Sequence, residues 1–484
     1  MSSHSGAGGA RRIFKNTAVL MLARVISRVS TLVLTLMIAA WLGADDLGVF
    51  SAALAVWGAL TIASEAGAVQ YLIRELSKDP SLTGRYVVHL SAVAVPLALV
   101  VTLLAELVVR NVGYSSDLER GVSIVLLGVL PRVLNGIQTA AFIAHGRTEF
   151  ETIPTFLTNA IHIAVSAVLL ATGHGVEAVL ISFVAMHYLA TACYFTLIAR
   201  YIARLPLELD FRLMGRLVTE VKAFAATSAL AALFSRPEVI LLSLFASPAQ
   251  VGYYSAAMRV AEVWLFVPQV FMSNVYSALS RSEHQRDGRF LPIQGKAIKY
   301  TLAFSLPLTA GMVAAADPII ATLFGEGFQD SVVPLQLLAV SLTFASLMEV
   351  FWPSLFARGR QASVLRIQLM MLAVRLGVGS WLAASLAALG AAISALASSV
   401  VHLGLLIAAA RRHGGHAPIV SSSWRLVLAA AATGAVTWVV ADLLDIWLAI
   451  PVAAASYFAA AVVLRAFSAE DVSLFRSLLP ARRA

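Results

Sequence analysis

The sequence predicts an all-α polytopic membrane protein of about fourteen transmembrane helices, built as two parallel six-helix repeats with two further helices at the C-terminus. Three observations predict it. Only 13% of the 484 residues are charged and 60% are hydrophobic, with a mean hydropathy of +0.85, whereas a soluble domain carries about 25% charged residues. Apolar runs of about 20 residues follow one another with no gap long enough for a soluble domain. Basic residues gather at alternate ends of those runs.

In chain order the runs cover 17–41, 48–70, 86–109, 121–144, 153–172 and 177–199, then 221–246, 252–279, 300–323, 332–357, 367–386 and 390–410, and finally 426–442 and 447–467. Helix is the expected form because a backbone in lipid must satisfy its own hydrogen bonds, and no segment alternates as barrel strands do. Residues 1–16 are polar and basic, and the run after them is too long for a signal-peptide core, so it reads as a retained first span.

Six arginines lie inside the runs. With residues 1–16 placed in the cytoplasm, every other Lys and Arg falls on the cytoplasmic side except Arg110 and Arg120. The positive-inside rule then puts both termini in the cytoplasm. The net charge of +9 is thereby explained by membrane topology, and no basic face remains for nucleic acid. Cys193 is the only cysteine, which excludes an intrachain disulfide.

The two halves repeat one another. Gly48 with Phe50-Ser51-Ala52-Ala53 matches Gly252 with Tyr254-Ser255-Ala256-Ala257; Ala144-His145-Gly146-Arg147 matches Ala357-Arg358-Gly359-Arg360; and, more weakly, Gly175 to Ala178 matches Ala387 to Gly390. Matched turns fall on the same side of the membrane, so the repeats are parallel, and in such transporters the substrate site lies between them. The expected domains are residues 1–206, 207–411 and 412–484. The segment from Arg200 to Arg216 joins the repeats and is expected along the cytoplasmic interface.

The in-span charges carry the candidate chemistry, because a charge at mid-membrane costs at least ~2.5 kcal/mol. Arg24 and Arg28 lie one turn apart on the first span, and Thr17, Thr31 and Thr35 extend that face. Such a stripe either lines a cavity that binds an anion, since Arg forks match phosphate oxygens, or lets Arg24 snorkel to the cytoplasmic edge. Arg236 and Glu238 flank Pro237, which should kink or break its helix; they either line a pore or form a local ion pair. Arg259 and Glu262 are spaced to pair with each other. Arg132 and Arg375 complete the six. Glu65 and Glu349 are the deepest acids, placed either to carry a coupling ion or to act as counter-ions for the arginines, and Glu238 and Glu262 join them in that role. Asn135, Gln138, Asn159, Gln269 and Asn274 either meet sugar hydroxyls or bond across helices. His89, His162, His187 and His402 are scattered singly and suggest helix packing rather than a metal site. There is no phosphate-binding loop, nucleophile elbow or metal-ligand spacing. The expectation is a transporter rather than an enzyme, with no cofactor.

Four groups of residues carry a family resemblance: Lys15-Asn16 with Leu42-Gly43 and Gly48; Gly67 with Leu72-Ile73-Arg74-Glu75-Leu76; Val251 to Ala257 with Arg259; and Leu323-Phe324-Gly325 with Phe328, Leu335 to Leu338 and Ala357 to Arg360. Through them the chain resembles the Wzx-type oligosaccharide flippases, the polysaccharide-transport branch of the multidrug/oligosaccharidyl-lipid/polysaccharide exporter superfamily. The resemblance implies two six-helix lobes around a central cavity. It also implies alternating access for a lipid carrier, typically undecaprenyl pyrophosphate bearing an oligosaccharide. The expected partners are that substrate, membrane lipids and polysaccharide polymerase or assembly proteins, with a monomeric transport unit. Family members often carry Arg-x-Asp where this chain has Arg236-Pro237-Glu238, and the N-terminal signature of the related lipid II flippases is not evident. Two other readings stay open. An ion-coupled drug antiporter of the same fold expects an acidic cavity, against the arginine excess here. A membrane glycosyltransferase or polymerase expects larger outer loops.

Overall fold

The computed structural model describes residues 5–65, 67–206, 208–221, 236–262, 266–443, 446–467 and 471; side chains are described from Val29 onward, apart from scattered positions that include Glu65, Gln269 and Asn274. The described residues form helices and turns with no strand. They divide into two compact units, Met1–Ser255 and Ala256–Ala484.

Unit 1 opens with α1 (Ser5–Glu65) and α2 (Ala68–Lys78), followed by α3 (Thr83–Val112), α4 (Ser116–Leu126), α5 (Val129–Ala144), α6 (Glu149–Ala171) and α7 (Val176–Tyr201). A further helix, α8, covers residues 211–221. Then come α9 (Pro237–Phe245) and the first part of α10 (Pro248–Glu262). The apolar stretch of α1, Val29–Ser64, is 36 residues long, about 54 Å of helix against roughly 30 Å of hydrocarbon. Gly43, at φ 85° and ψ −167°, interrupts it between the first two expected spans. Gly67, at φ 76°, ends the second one earlier than hydropathy alone placed it; a left-handed residue cannot continue a helix.

The expected span 121–144 is two helices, and proline is the reason. Pro131 has no N–H for the carbonyl of Leu127, one turn back. That carbonyl instead accepts a hydrogen bond from the Tyr188 hydroxyl of α7 at 3.1 Å.

Unit 2 contains α11 (Phe266–Gln285), α12 (Phe290–Ala314), α13 (Ala316–Phe324), α14 (Val332–Ala357), α15 (Gln361–Val374), a π-helical turn Arg375–Gly379, α16 (Ser380–Arg412), α17 (Val420–Leu443) and α18 (Ile446–Val463). The helix α16 turns back on itself at Ala387, whose φ is 49°. The reversal is tight enough that a β-carbon at Gly390 would lie 1.9 Å from the Leu382 carbonyl oxygen. The core gathers Ile298, Val350, Phe351, Leu355, Leu406, Leu426 and Ala429.

Ten helical stretches among the described residues are long and apolar enough to cross a membrane. Their outer surfaces suit that setting. Leu103, Leu104 and Leu107 of α3 are each about 60% exposed or more, an apolar stripe that water would not tolerate. Within unit 2, Trp381, Trp438 and Trp447 are exposed near helix ends, as tryptophans are in an interfacial aromatic belt. The protein is an all-α, multi-pass membrane protein.

Candidate functional site

The segment that joins the repeats is anchored to the start of α3. Its backbone runs so close to Gly84 that a β-carbon there would lie 2.0 Å from the Arg204 carbonyl oxygen. Asp210 caps α8: its Oδ1 accepts from the Arg212 and Leu213 amides at 3.0 and 3.1 Å. Its Oδ2 pairs with Arg85 at 2.7 Å. The Asp210 amide donates to His89 Nε2 at 2.9 Å, and His89 Nδ1 is 2.6 Å from the Arg85 carbonyl, which it therefore donates to. His89 is thus a packing residue.

A polar seam runs between α5 and α7. The Thr191 hydroxyl reaches Asn135 Oδ1 at 2.8 Å, and Gln138 Nε2 donates to the Thr191 carbonyl at 3.3 Å. Both amides therefore bond across helices, the second of their two expected roles. Arg132, half-buried in the first turn of α5, acts electrostatically on His187 and Tyr194 at the same seam. Trp57 of α1 closes the seam edge-on against Phe183 and His187, each with its ring centroid 4.9 Å away.

The remaining in-span charges are distributed along the chain. Arg24 and Arg28 lie on α1, but their side chains are outside the described residues, as is that of Glu65 at the end of the same helix. Thr35, expected on the Arg24–Arg28 face, is buried and bonds the Thr31 carbonyl at 2.8 Å. Arg236 is the N-cap residue of α9; Pro237 and Glu238 follow in the first turn, where a missing amide costs nothing. Arg259 Nη1 lies 3.5 Å from Glu262 Oε2, both largely buried, which is the pairing the spacing predicts. Glu349 is half-buried on α14, and Arg375 begins the π-helical turn. Among the described residues no three His, Cys, Asp or Glu side chains are placed to hold a metal.

Two clusters escaped sequence reasoning. The Arg358 side chain is 8% exposed and grips the loop after α16, donating to the Gly415 and Gly414 carbonyls at 2.7 and 3.3 Å. Its guanidinium also stacks 4.0 Å from the Phe290 ring and lies 3.6 Å from Glu283. Asp471, 4% exposed, accepts from Lys299 at 2.6 Å and Tyr300 at 2.7 Å. A contact spanning 172 residues leaves no local signal.

Residues 37–333 match the model of a family described as polysaccharide biosynthesis protein. The chain belongs to the polysaccharide biosynthesis protein family. A curated relative, a probable lipid II flippase MurJ of Rhizobium meliloti (strain 1021), is 31% identical over 173 residues. That alignment takes in 34% of this chain and 32% of the relative, so the chain spans about a third of the length of the curated relative it matches. Among solved structures, a lipid II flippase MurJ in an inward closed conformation aligns over 95% of this chain and 99% of its own, with a TM-score of 0.72 and 15% identity. An inward-facing multidrug resistance MATE transporter of the MOP superfamily aligns over 80% and 96%, with a TM-score of 0.65 and 15% identity. A MOP superfamily transporter from Pyrococcus furiosus aligns over 82% and 94%, at 0.54 and 13%. This polysaccharide biosynthesis family member therefore has the fold of that exporter superfamily, as the motifs implied.

Proposed function

We propose that the protein translocates an oligosaccharide linked to a lipid carrier, undecaprenyl pyrophosphate, across the bacterial cytoplasmic membrane by alternating access, for cell-surface polysaccharide assembly. The observation that carries the reading is the family match over residues 37–333 on a chain whose helices follow a lipid II flippase structure over 95% of its length. The in-span arginines agree with it. A pyrophosphate headgroup needs cations, the sugars need a wet polar path, and the polyprenyl tail stays in lipid. On this reading residues 1–206 and 207–411 are the two lobes, and residues 412–484 add the last two spans. The cavity is lined by Arg24, Arg28, Arg132, Arg236, Arg259 and Arg375. Glu65, Glu238, Glu262 and Glu349 serve as counter-ions or couple transport to an ion gradient, and both termini face the cytoplasm. The transport unit is a monomer, feeding a polysaccharide polymerase.

The test is a reconstituted flipping assay with labelled undecaprenyl-pyrophosphate oligosaccharide, comparing wild type with Arg28→Ala. Flipping that collapses in a folded variant supports the reading and puts Arg28 at the headgroup. The MATE likeness favours a second reading, an ion-coupled antiporter. Efflux of a cationic dye without any lipid flipping would replace the first reading by the second.

A further inference from the structure

Beyond the apolar stretch that ends at Tyr201, the helix α8 presents an exposed face with two distinct edges. Leu213, Leu217 and Val221 are buried, one turn apart on the packed side. Phe211 and Val218 lie two turns apart on one edge of the open side, and Phe211 is 78% exposed. Leu209, just before the helix, is exposed as well. Arg212 and Arg216 lie one turn apart on the other edge, both exposed. Exposed apolar side chains grouped in this way mark a contact surface. The arginines are available to a ligand. Asp210 is taken by Arg85, and among the described residues the side chains of Arg212 and Arg216 enter no ion pair. The exposed acids nearby, Glu208 and Glu220, pair with neither of them.

The attachment of α8 fixes its level. The chain leaves α7 at Tyr201, where one membrane-length stretch ends, and is fastened to the start of another, Pro80–Val112. The Arg204 carbonyl lies against Gly84, and Asp210 bonds Arg85 and His89, all within the first two turns of α3. A helix held at that height meets the boundary between hydrocarbon and headgroups. There an apolar edge enters the acyl region and guanidiniums reach phosphate oxygens. Unpaired arginines at this level complement a negatively charged leaflet; a zwitterionic one carries no net charge to attract them.

We propose that α8 docks on the anionic phospholipids of the leaflet it faces, with Phe211 and Val218 in the acyl boundary and Arg212 and Arg216 on the headgroup phosphates. The proposal does not depend on what the protein transports.

The test uses the full-length protein carrying Cys193→Ser and a nitroxide on Phe211→Cys or, in a second protein, on Val218→Cys. Each is placed in nanodiscs of phosphatidylcholine alone or of phosphatidylcholine mixed with phosphatidylglycerol. Collision with oxygen, which concentrates in lipid, is compared with collision with a water-soluble nickel chelate. Both labels are expected to be lipid-immersed in the mixed discs. The ratio of docked to free helix should rise on adding phosphatidylglycerol, roughly fivefold for each arginine. Arg212→Gln with Arg216→Gln should remove that rise, whereas Arg212→Lys with Arg216→Lys should largely keep it. The glutamine variant should melt like wild type, because neither side chain holds a protein partner. Labels that stay in water in both lipids, or are equally immersed in both, would overturn the proposal. So would a rise that survives the glutamine changes. Dipolar broadening between labels would show a second copy of the chain covering this face, and would also overturn it. The Val218→Cys protein keeps Phe211 and decides the question if Phe211→Cys does not fold.

Discussion

Gly48 and Gly252, equivalent positions of the internal repeat, pack against one another's turns. A β-carbon on Gly48 would lie 1.7 Å from the Pro248 carbonyl oxygen and 3.0 Å from the Gly252 amide nitrogen, and one on Gly252 would lie 2.0 Å from the Ala44 carbonyl oxygen. The contact is reciprocal, as expected where two copies of one motif meet about a pseudo-twofold axis. Each glycine leaves room for the other copy's backbone. Because the obstructing atoms are main chain, no side-chain rotation relieves a substitution.

Gly48→Ala and Gly252→Ala are therefore expected to destabilise unit 1 by on the order of 3 kcal/mol each, through overpacking. The two costs should not add, because either change forces the same pair of turns apart. Thermal unfolding of the single and double variants in detergent checks both statements.

Ala387 is the opposite case, an alanine where glycine fits better. Its φ of 49° and ψ of −128° belong to a region that side chains rarely occupy. Ala387→Gly should raise the thermal midpoint by relieving about 1 kcal/mol of strain, net of the unfolded-state entropy that glycine adds. A lowered midpoint would mean that the reversal is held at no strain.

Tyr188 and Pro131 should be coupled. The Tyr188 hydroxyl serves the Leu127 carbonyl, which Pro131 leaves without its helical donor. Tyr188→Phe alone should cost about 1 kcal/mol. In a Pro131→Ala background the helix supplies its own amide, and the same change should be nearly neutral. A double-mutant cycle with no coupling would refute this account of the break between α4 and α5.

Arg358→Lys should destabilise almost as much as Arg358→Ala, by about 2 kcal/mol. Lysine keeps the charge but cannot reach both the Gly414 and Gly415 carbonyls while stacking on Phe290. Chemical denaturation of the three proteins distinguishes a forked contact from a simple charge.

The linker should release at low pH. The Leu213 amide first, then the Arg85 guanidinium and the Arg212 amide, hold the Asp210 carboxyl below its ordinary value of 3.8. A carboxyl depressed in the folded state stabilises it above the ordinary value, and that contribution is lost as pH falls below it. Hydrogen exchange in residues 202–221 should accelerate below about pH 4 in wild type. Asp210→Asn should exchange faster at neutral pH and lose that acid step.

Much of this was legible from residue order. The charge pattern and apolar runs anticipated the helices, the 332–357 span coincides with α14, and the Arg259–Glu262 spacing anticipated their contact. The repeated Ala-x-Gly-Arg motif has one backbone meaning in both copies. Gly146 and Gly359 are left-handed, and the Arg147 and Arg360 amides each reach back to the carbonyl five residues earlier, closing the preceding helix in a Schellman motif. Less legible was the destination of the polar side chains. Nothing near Asp471 points to Lys299, and the break at Gly128 shows only when Pro131 is read together with Tyr188.

The sequence by itself determined that the chain is a helical membrane protein, where most helices run, and that one motif set occurs twice. Those properties depend on transfer free energies and backbone preferences summed within single segments. Tertiary structure alone decided which buried polar groups meet, which carbonyl freed by proline finds a donor, and that Gly48 lies against Gly252. Those outcomes depend on the approach of segments distant in sequence, where a few tenths of an ångström separate a contact from a clash.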